Sequence, residues 1–327
     1  VSGGGVGVRE LDPGQLGRLD RFNGGGQATI YRAPDLSLPG ESGPFVYKAY
    51  NDRTIHGKRE AMRNSLRSLI RVRSEAADED RRVIDARCVW PLAVVADGRG
   101  ATGCIMREVP DVFFRRITYS TGRVRLKPWS WEFHLQDPQE VADRGLPNLK
   151  DADVAFLLAR ALRFLATVHR LDVIVGDLSS ANILISTVSG TPKKSRPMFV
   201  DVDTYRIQRA VSALEQRHTP EWWTPESRQN LARWKELERR GAAHHEIATA
   251  KARTRIQDKP SDVYKAGLLV LRTLDAGPSS LRLSRSSAAS ARLTRLFGTT
   301  RAAVLLSSLE PEPHDRHFAE AMANVIY

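Results

Sequence analysis

Asp177 and Asn182, five residues apart in Val175-Gly-Asp-Leu-Ser-Ser-Ala-Asn-Ile-Leu184, give this chain its clearest chemical signature. Asp177 offers a carboxylate that can orient a hydroxyl and take its proton. Asn182 offers an amide oxygen suited to a hard divalent cation. After a basic loop, Met198-Phe-Val-Asp-Val-Asp203 adds Asp201 and Asp203 on an apolar strand, where alternation turns both carboxylates to one side. Together these are the groups that phosphoryl transfer from a Mg-ATP complex requires. The plain alternatives are a loop of Asx turns at 177–182 and a capped turn at a strand end at 201–203.

Several elements must position these groups. An apolar run through Ala155, Leu158, Leu162 and Leu165 to His169 predicts a helix just ahead of the loop, with Asp151 as its cap. His169 reads as a structural residue at the negative end of that helix. Upstream, Leu16–Phe22 and Thr29–Arg32 read as strands joined by the glycine turn Gly24-Gly-Gly26. Phe45-Val-Tyr-Lys-Ala-Tyr50 is an alternating strand with Lys48 in its middle. Residues 57–84 have helical spacing, and Cys88–Val95 with Gly103–Val109 predict a hairpin. Downstream, residues 226–256 read as a charged surface helix. Ser261–Leu274 is apolar nearly all round and predicts a buried helix. The fold class is α+β: a strand-rich first third feeding a helical remainder, a small lobe and a large lobe with a cleft between them.

A glycine turn lets backbone amides approach phosphates without side chains in the way. A lysine inside a strand needs an anionic partner if it points inward. ATP phosphates and a helix glutamate would supply it, with Glu60 the choice and Glu75 and Glu79 its rivals.

The formal charge is +12, yet arginine is spread along the chain rather than clustered with aromatics. That argues against a dedicated nucleic-acid surface. Cys88 and Cys104 form no CxxC or Cys/His pattern and read as core thiols of a reducing, cytoplasmic setting. No apolar run is long enough to span a bilayer. The glycine-rich opening, residues 1–14, reads as a flexible lead-in. Trp222-Trp223 reads as a packing element.

On these residues the chain resembles the eukaryotic-type Ser/Thr protein kinase family, in a divergent bacterial form, over roughly residues 15–325. The resemblance implies a bilobal protein-kinase-like fold, with a β-rich N-lobe over 15–109 and a mainly helical C-lobe over 110–327. It implies ATP with Mg²⁺, or Mn²⁺ in its place, and a protein hydroxyl as acceptor. Asp177 matches the catalytic-loop aspartate, with Lys48 holding the phosphates and Glu60 orienting it. Asn182 and Asp201 match the metal ligands, joined by Asp203 in an Asp-Val-Asp that replaces Asp-Phe-Gly. Gly24, Gly25, Gly26, Ala28 and Ile30 would cover the nucleotide, and Met106, Arg107, Glu108 and Val109 fall where the hinge meets adenine. Thr224-Pro-Glu226 resembles the end of an activation segment, Asp262 the residue that anchors the catalytic loop, and Arg316 the arginine that pairs with Glu226. Trp90-Pro-Leu, Gly103-x-x-Met106 and Asp-x-Asp are similar to a bacterial subgroup found fused or adjacent to phosphatase and stress-response modules.

There are departures. Gly176 replaces the arginine that reads a phosphorylated activation loop, Ser179 replaces a phosphate-contacting lysine, and Ala28 replaces a glycine. Residues 227–260 are a charged insertion, a plausible docking surface for a partner. Three other readings stand beside phosphoryl transfer to protein: an ATP-binding scaffold without turnover, a small-molecule phosphotransferase of the same fold, and a nucleic-acid-binding domain using the +12 charge.

Overall fold

A computed structural model of the chain describes residues 8–208, 210, 216, 218, 219, 221–275 and 287–326. It is a mixed α+β protein whose chain divides into two compact units. The first comprises Val1–Pro110 and Val200–Leu214, the second Asp111–Phe199 and Glu215–Tyr327. The expected linear division near residue 110 therefore misses the return of 200–214 to the first unit.

The first unit is built on a six-stranded sheet in the order β1-β5-β6-β4-β3-β2. Its strands are β1 (Glu10–Leu11), β2 (Asp20–Gly24), β3 (Ala28–Arg32), β4 (Phe45–Tyr50), β5 (Pro91–Asp97) and β6 (Gly100–Arg107). Only β1 runs parallel, to β5; the remaining pairs are antiparallel. The lead-in expected over 1–14 is thus interrupted, because Glu10–Leu11 is a strand and Glu10 pairs with Arg63. The Ser-Gly-Gly-Gly opening lies outside the described residues. Leu16, Leu38, Phe45, Tyr47, Leu92, Ala93, Val95 and Ile105 form the core on one face of the sheet. The strand expected from Leu16 is β2 and begins at Asp20, since Pro13–Leu16 is a 3-10 turn closed by an Asp12–Gln15 capping box.

Three helices belong to this unit: the single turn α1 (Asp52–Ile55), α2 (Arg59–Glu75) and α3 (Asp78–Arg87). The single helix expected over 57–84 is therefore two. On α2 the buried residues Met62, Leu66, Leu69 and Ile70 recur at helical spacing and meet β5 and β6. Arg73, also buried, bridges Glu41 and Asp85 and fixes where α3 packs.

In the second unit the longest helix is α5 (Asp151–Arg170), with twelve buried residues from Val154 to His169. Asp151 is its first residue rather than its cap, a place taken by Lys150. The Asp151 carboxylate instead pairs with Arg292 and Arg295, which hold its pKa below the usual carboxylate range. Ahead of α5 lie the hairpin β7 (Phe114–Thr118) and β8 (Val124–Pro128), then the short helix α4 (Pro138–Asp143). Beyond it come β9 (Val173–Ile174) and the antiparallel pair β10 (Ile183–Ser186) and β11 (Arg196–Phe199). The charged stretch 226–256, expected as one surface helix, folds as two, α6 (Pro225–Arg239) and α7 (His244–Arg253), packed on each other. Helix α8 (Lys259–Leu274) is buried at every position from Ser261 to Leu274, as its apolar sequence demands. Asp258 caps it by accepting from Ser261 N at 2.9 Å. Then follow α9 (Ser287–Phe297), α10 (Thr299–Ser307) and α11 (Ala319–Ile326), the last packed on α5. Among the described residues no helix is long and apolar enough to cross a membrane.

Burial of His134 carries a consequence for stability. Its Nε2 accepts from Trp129 Nε1 at 2.9 Å, and desolvation pushes its pKa from 6.5 down to about 4. Between those values the unfolded chain takes up a proton that the folded one refuses, so stability falls as the pH drops from 6.5 to 4. His218, lowered to about 4 by burial and then by the Lys265 charge, acts in the same sense. His134→Gln is therefore expected to flatten, without abolishing, the fall of the urea midpoint over this window.

Candidate functional site

The side chains singled out by the sequence fall into two groups, one in each unit. The first centres on Lys48. Cross-strand register sets Ile30, Lys48 and Cys104 side by side on β3, β4 and β6. Lys48 is 6 % exposed, and its Nζ donates to Asp201 Oδ1 at 2.9 Å and to Asp203 Oδ1 at 2.6 Å. Burial alone would depress the ammonium, but the charges of Asp203 and Asp201 outweigh it and hold Lys48 above its ordinary value. Burial, then the Asp203 charge, push the Tyr50 phenol well above its ordinary value, and its hydroxyl lies 3.7 Å from Cys104 Sγ. Cys104 is itself raised to about 12, chiefly by burial, so it is an inert thiol.

The two aspartates do not alternate along a strand, as their spacing predicted. The strand β11 ends at Phe199, and Asp201 adopts a left-handed backbone, φ 57°. A 3-10 turn over Val202–Thr204 follows, with Thr204 Oγ1 donating to Asp201 O at 2.8 Å. This rare conformation for a non-glycine residue is one that Asp tolerates better than most. The turn separates the two side chains by environment: that of Asp201 is 57 % exposed, that of Asp203 1 %. Tyr205 fixes the far end, its ring edge-on to Trp90 at 6.2 Å, while Trp90 Nε1 donates to Leu69 O on α2.

Glu60 does not meet Lys48. It lies on α2 with its side chain 62 % exposed, and its carboxylate sits 3.6 Å from Arg63. Glu75 pairs with Arg71. The glutamate expected to orient Lys48 is therefore absent from it, because this stretch of α2 turns its charged face outward.

The glycine turn joins β2 and β3. Gly25 N donates to Ala28 O, and Asn51 Nδ2 donates to the Gly25 and Gly26 carbonyls at 3.3 and 3.2 Å. A Cβ at Gly25 or Gly26 would meet nothing within 4 Å, and neither has positive φ. The fold does not require glycine there, so its effect is to leave the backbone bare. Ala28 is buried. At the end of β6, Met106 is buried and the side chains of Arg107 and Glu108 are committed to ion pairs, Arg107 with Glu41 and Asp85, Glu108 with Arg32. Neither charged side chain is therefore free for a further partner without breaking an ion pair.

The second group is the loop after α5. Asn182 Nδ2 donates to Asp177 O at 2.9 Å and to its Oδ2 at 3.2 Å, leaving the asparagine amide oxygen as an acceptor. Asp177 Oδ1 accepts from Thr219 N at 3.1 Å and Thr219 Oγ1 at 2.7 Å. Thr219 Oγ1 also lies 3.4 Å from Ser179 Oγ. Helix α8 holds this loop from below. Asp262, fully buried, accepts from Val175 N at 2.7 Å, Gly176 N at 2.8 Å and His169 Nε2 at 3.0 Å. Lys265 donates to Gly176 O at 2.6 Å and to Gln257 Oε1. Burial draws Lys265 down to about 8 against the Asp262 and Asp177 charges. Gly176 has φ 74°, and a Cβ there would stand 2.3 Å from Gln216 Nε2.

Thr219, Gln216, Lys265, Asn51 and Tyr50 escaped the sequence reading. Thr219 and Gln216 lie forty or so residues from what they touch and carry no local signature; Lys265 alone, a lysine on an otherwise apolar helix, gave a usable signal.

Glu226, in the first turn of α6 behind the Thr224 cap, forms a bidentate pair with Arg316 at 3.0 and 2.9 Å. Arg316 also donates to the carbonyls of Pro260, Glu310 and Pro311, so every guanidinium nitrogen is used. Trp222, buried beneath Arg272, packs as expected. No family model matches the chain, and no curated protein matches it. Among the described residues no group of three or more His, Cys, Asp or Glu could hold a metal. Asp201, its side chain 57 % exposed, and the Asn182 amide oxygen are each, taken singly, a hard oxygen donor of the kind a divalent cation takes.

Proposed function

We propose that the chain is a protein-kinase-like phosphotransferase, moving the γ-phosphoryl of Mg-ATP to a protein Ser or Thr hydroxyl, on a bilobal plan. The observation that supports it most is Lys48. A buried strand lysine lies 2.9 Å from Asp201, 153 residues away, in the same sheet as a bare glycine turn. A cation-and-carboxylate group of this kind is what a nucleotide's phosphates and their metal need. The second unit adds the hydroxyl-orienting Asp177, fixed by Thr219 and Asn182.

In the reaction, Asp177 accepts the acceptor hydroxyl's hydrogen bond and later its proton. The new bond joins that oxygen to the γ-phosphorus, the bond to the β–γ bridging oxygen breaks, and ADP leaves. Lys48 neutralises phosphate oxygens, and the bare backbone at 24–26 approaches them. Asn182 and Asp201 would hold Mg²⁺, which when bound neutralises charge on the phosphates. The acceleration comes from positioning and fixed charge rather than covalent chemistry. The Glu226–Arg316 pair favours a protein acceptor, since small-molecule phosphotransferases sharing the Gly-Asp-x-x-x-x-Asn loop are expected to lack it.

Incubation with Mg-ATP and generic protein substrates, read by intact-mass spectrometry on wild type and Asp177→Ala, tests this. Phosphate on protein with wild type alone is the expected result. ATP binding with no phosphate transferred to any protein would favour the scaffold reading, and transfer that survives Asp177→Ala would overturn the assignment.

A further inference from the structure

We infer that Asp203 takes over the task of the helix glutamate: it is the acid that holds Lys48 in position for phosphate, so nucleotide binding does not depend on an acid from α2. The inference rests on the phosphotransferase reading and adds to it a positioning residue and a consequence for control.

Three observations carry it. Lys48 donates to Asp203 at 2.6 Å, its shorter ion pair, and that carboxylate is 1 % exposed. The acids of α2 are engaged elsewhere, Glu60 with Arg63 at 3.6 Å and Glu75 with Arg71 at 3.9 Å. The left-handed backbone of Asp201 and the 3-10 turn after it bring residue 203 to the lysine, and Tyr205 against Trp90 pins that turn. The position held by a second carboxylate in Asp-Val-Asp is thus occupied by a residue with work to do on the lysine.

Burial divides the labour between the two aspartates. Asp201, 57 % exposed with one oxygen on Lys48, keeps its other oxygen for a cation. Asp203 is enclosed by Lys48 and Tyr50 and has no free approach for a hydrated ion. A buried carboxylate is tolerated only when paired, and a buried lysine likewise, so each stabilises the other's charge. In a site where the lysine's partner is supplied by a mobile helix, moving that helix switches the site off. Here the partner comes from the same short turn as Asp201, so no acid of α2 has to be in place to hold Lys48.

The test is ATP affinity by calorimetry, once in excess EDTA and once with Mg²⁺, together with KM and kcat where turnover is seen. Wild type, Asp203→Asn, Asp203→Glu, Glu60→Gln and Lys48→Met are compared, each checked by thermal melting. Asp203→Asn is expected to weaken ATP roughly tenfold or more in both conditions, matching Lys48→Met and acting on KM more than kcat. Asp203→Glu should recover part of the loss, and Glu60→Gln should stay within about twofold of wild type. The inference is overturned if Glu60→Gln costs as much as Asp203→Asn, if Asp203→Asn has no effect, or if its loss appears only with Mg²⁺, which would make Asp203 a metal ligand. If Asp203→Asn fails to fold, the Lys48→Met/Asp203→Asn pair removes both charges, and Glu60→Gln against Lys48→Met decides. A wild type that binds no ATP in either condition overturns the phosphotransferase reading itself, which no other outcome does.

Discussion

Asp262→Ala is expected to lower the stability of the second unit by about 3–5 kcal/mol and to abolish transfer even where the protein stays folded. The carboxylate accepts three hydrogen bonds, from two successive backbone amides and from His169, and it is fully buried. Truncation leaves those donors unpaired in a site water cannot reach, each at roughly 1–3 kcal/mol. Asp262→Asn should do less damage, because its amide oxygen can serve one donor while its NH₂ opposes another. The denaturation midpoint at neutral pH measures the first effect. The second is read on folded Asp262→Asn at low temperature: residues 175–176 lose their anchor, and Asp177 with them. An Asp262→Ala variant within about 1 kcal/mol of wild type would refute the account of how this loop is held.

Gly176→Ala is the second large effect. The residue sits at φ 74°, which costs a residue with a Cβ about 1–2 kcal/mol, and the new methyl would lie 2.3 Å from Gln216. Gln216 Nε2 reaches the carbonyls of Ile174 and Val175, so expelling it also loosens the stretch before Asp177. The single change should cost roughly 2–4 kcal/mol. Gln216→Gly combined with Gly176→Ala removes the clash but leaves the backbone strain, so the double variant should regain all but about 1–2 kcal/mol, measured as a double-mutant cycle. A strictly additive cycle would show that the two residues do not compete for the same space.

What the sequence made legible is what depends on local spacing. Asp177 and Asn182 are close enough in the chain that one loop brings them together, and the apolar surround of α8 announced a buried helix that then supplied Asp262. The β5–β6 hairpin followed from alternation and a glycine turn. The break between α2 and α3 was missed because Ala76-Ala77 favours helix; the acidic run Asp78-Glu-Asp80 in the next first turn was the available signal. The partner of Lys48 was missed for a different reason. Which carboxylate faces it turns on one left-handed residue, Asp201, and a regular alternation of Asp and Val gives no hint of that reversal. Gln216 and Thr219 reach the loop over about forty residues, a distance at which composition and periodicity say nothing.

The guanidinium of Arg316 ties together the start of α6, the start of α8 and the stretch just before α11, through Glu226, Pro260, Glu310 and Pro311. Ninety residues separate it from the glutamate it neutralises. On the ribosome, Glu226 therefore emerges ninety residues ahead of its counter-ion, and at about 5–20 residues per second the fastening arrives several seconds later. The second unit is in this sense sewn shut from its far end: its middle is made first, but a stitch placed late in synthesis is what sets it.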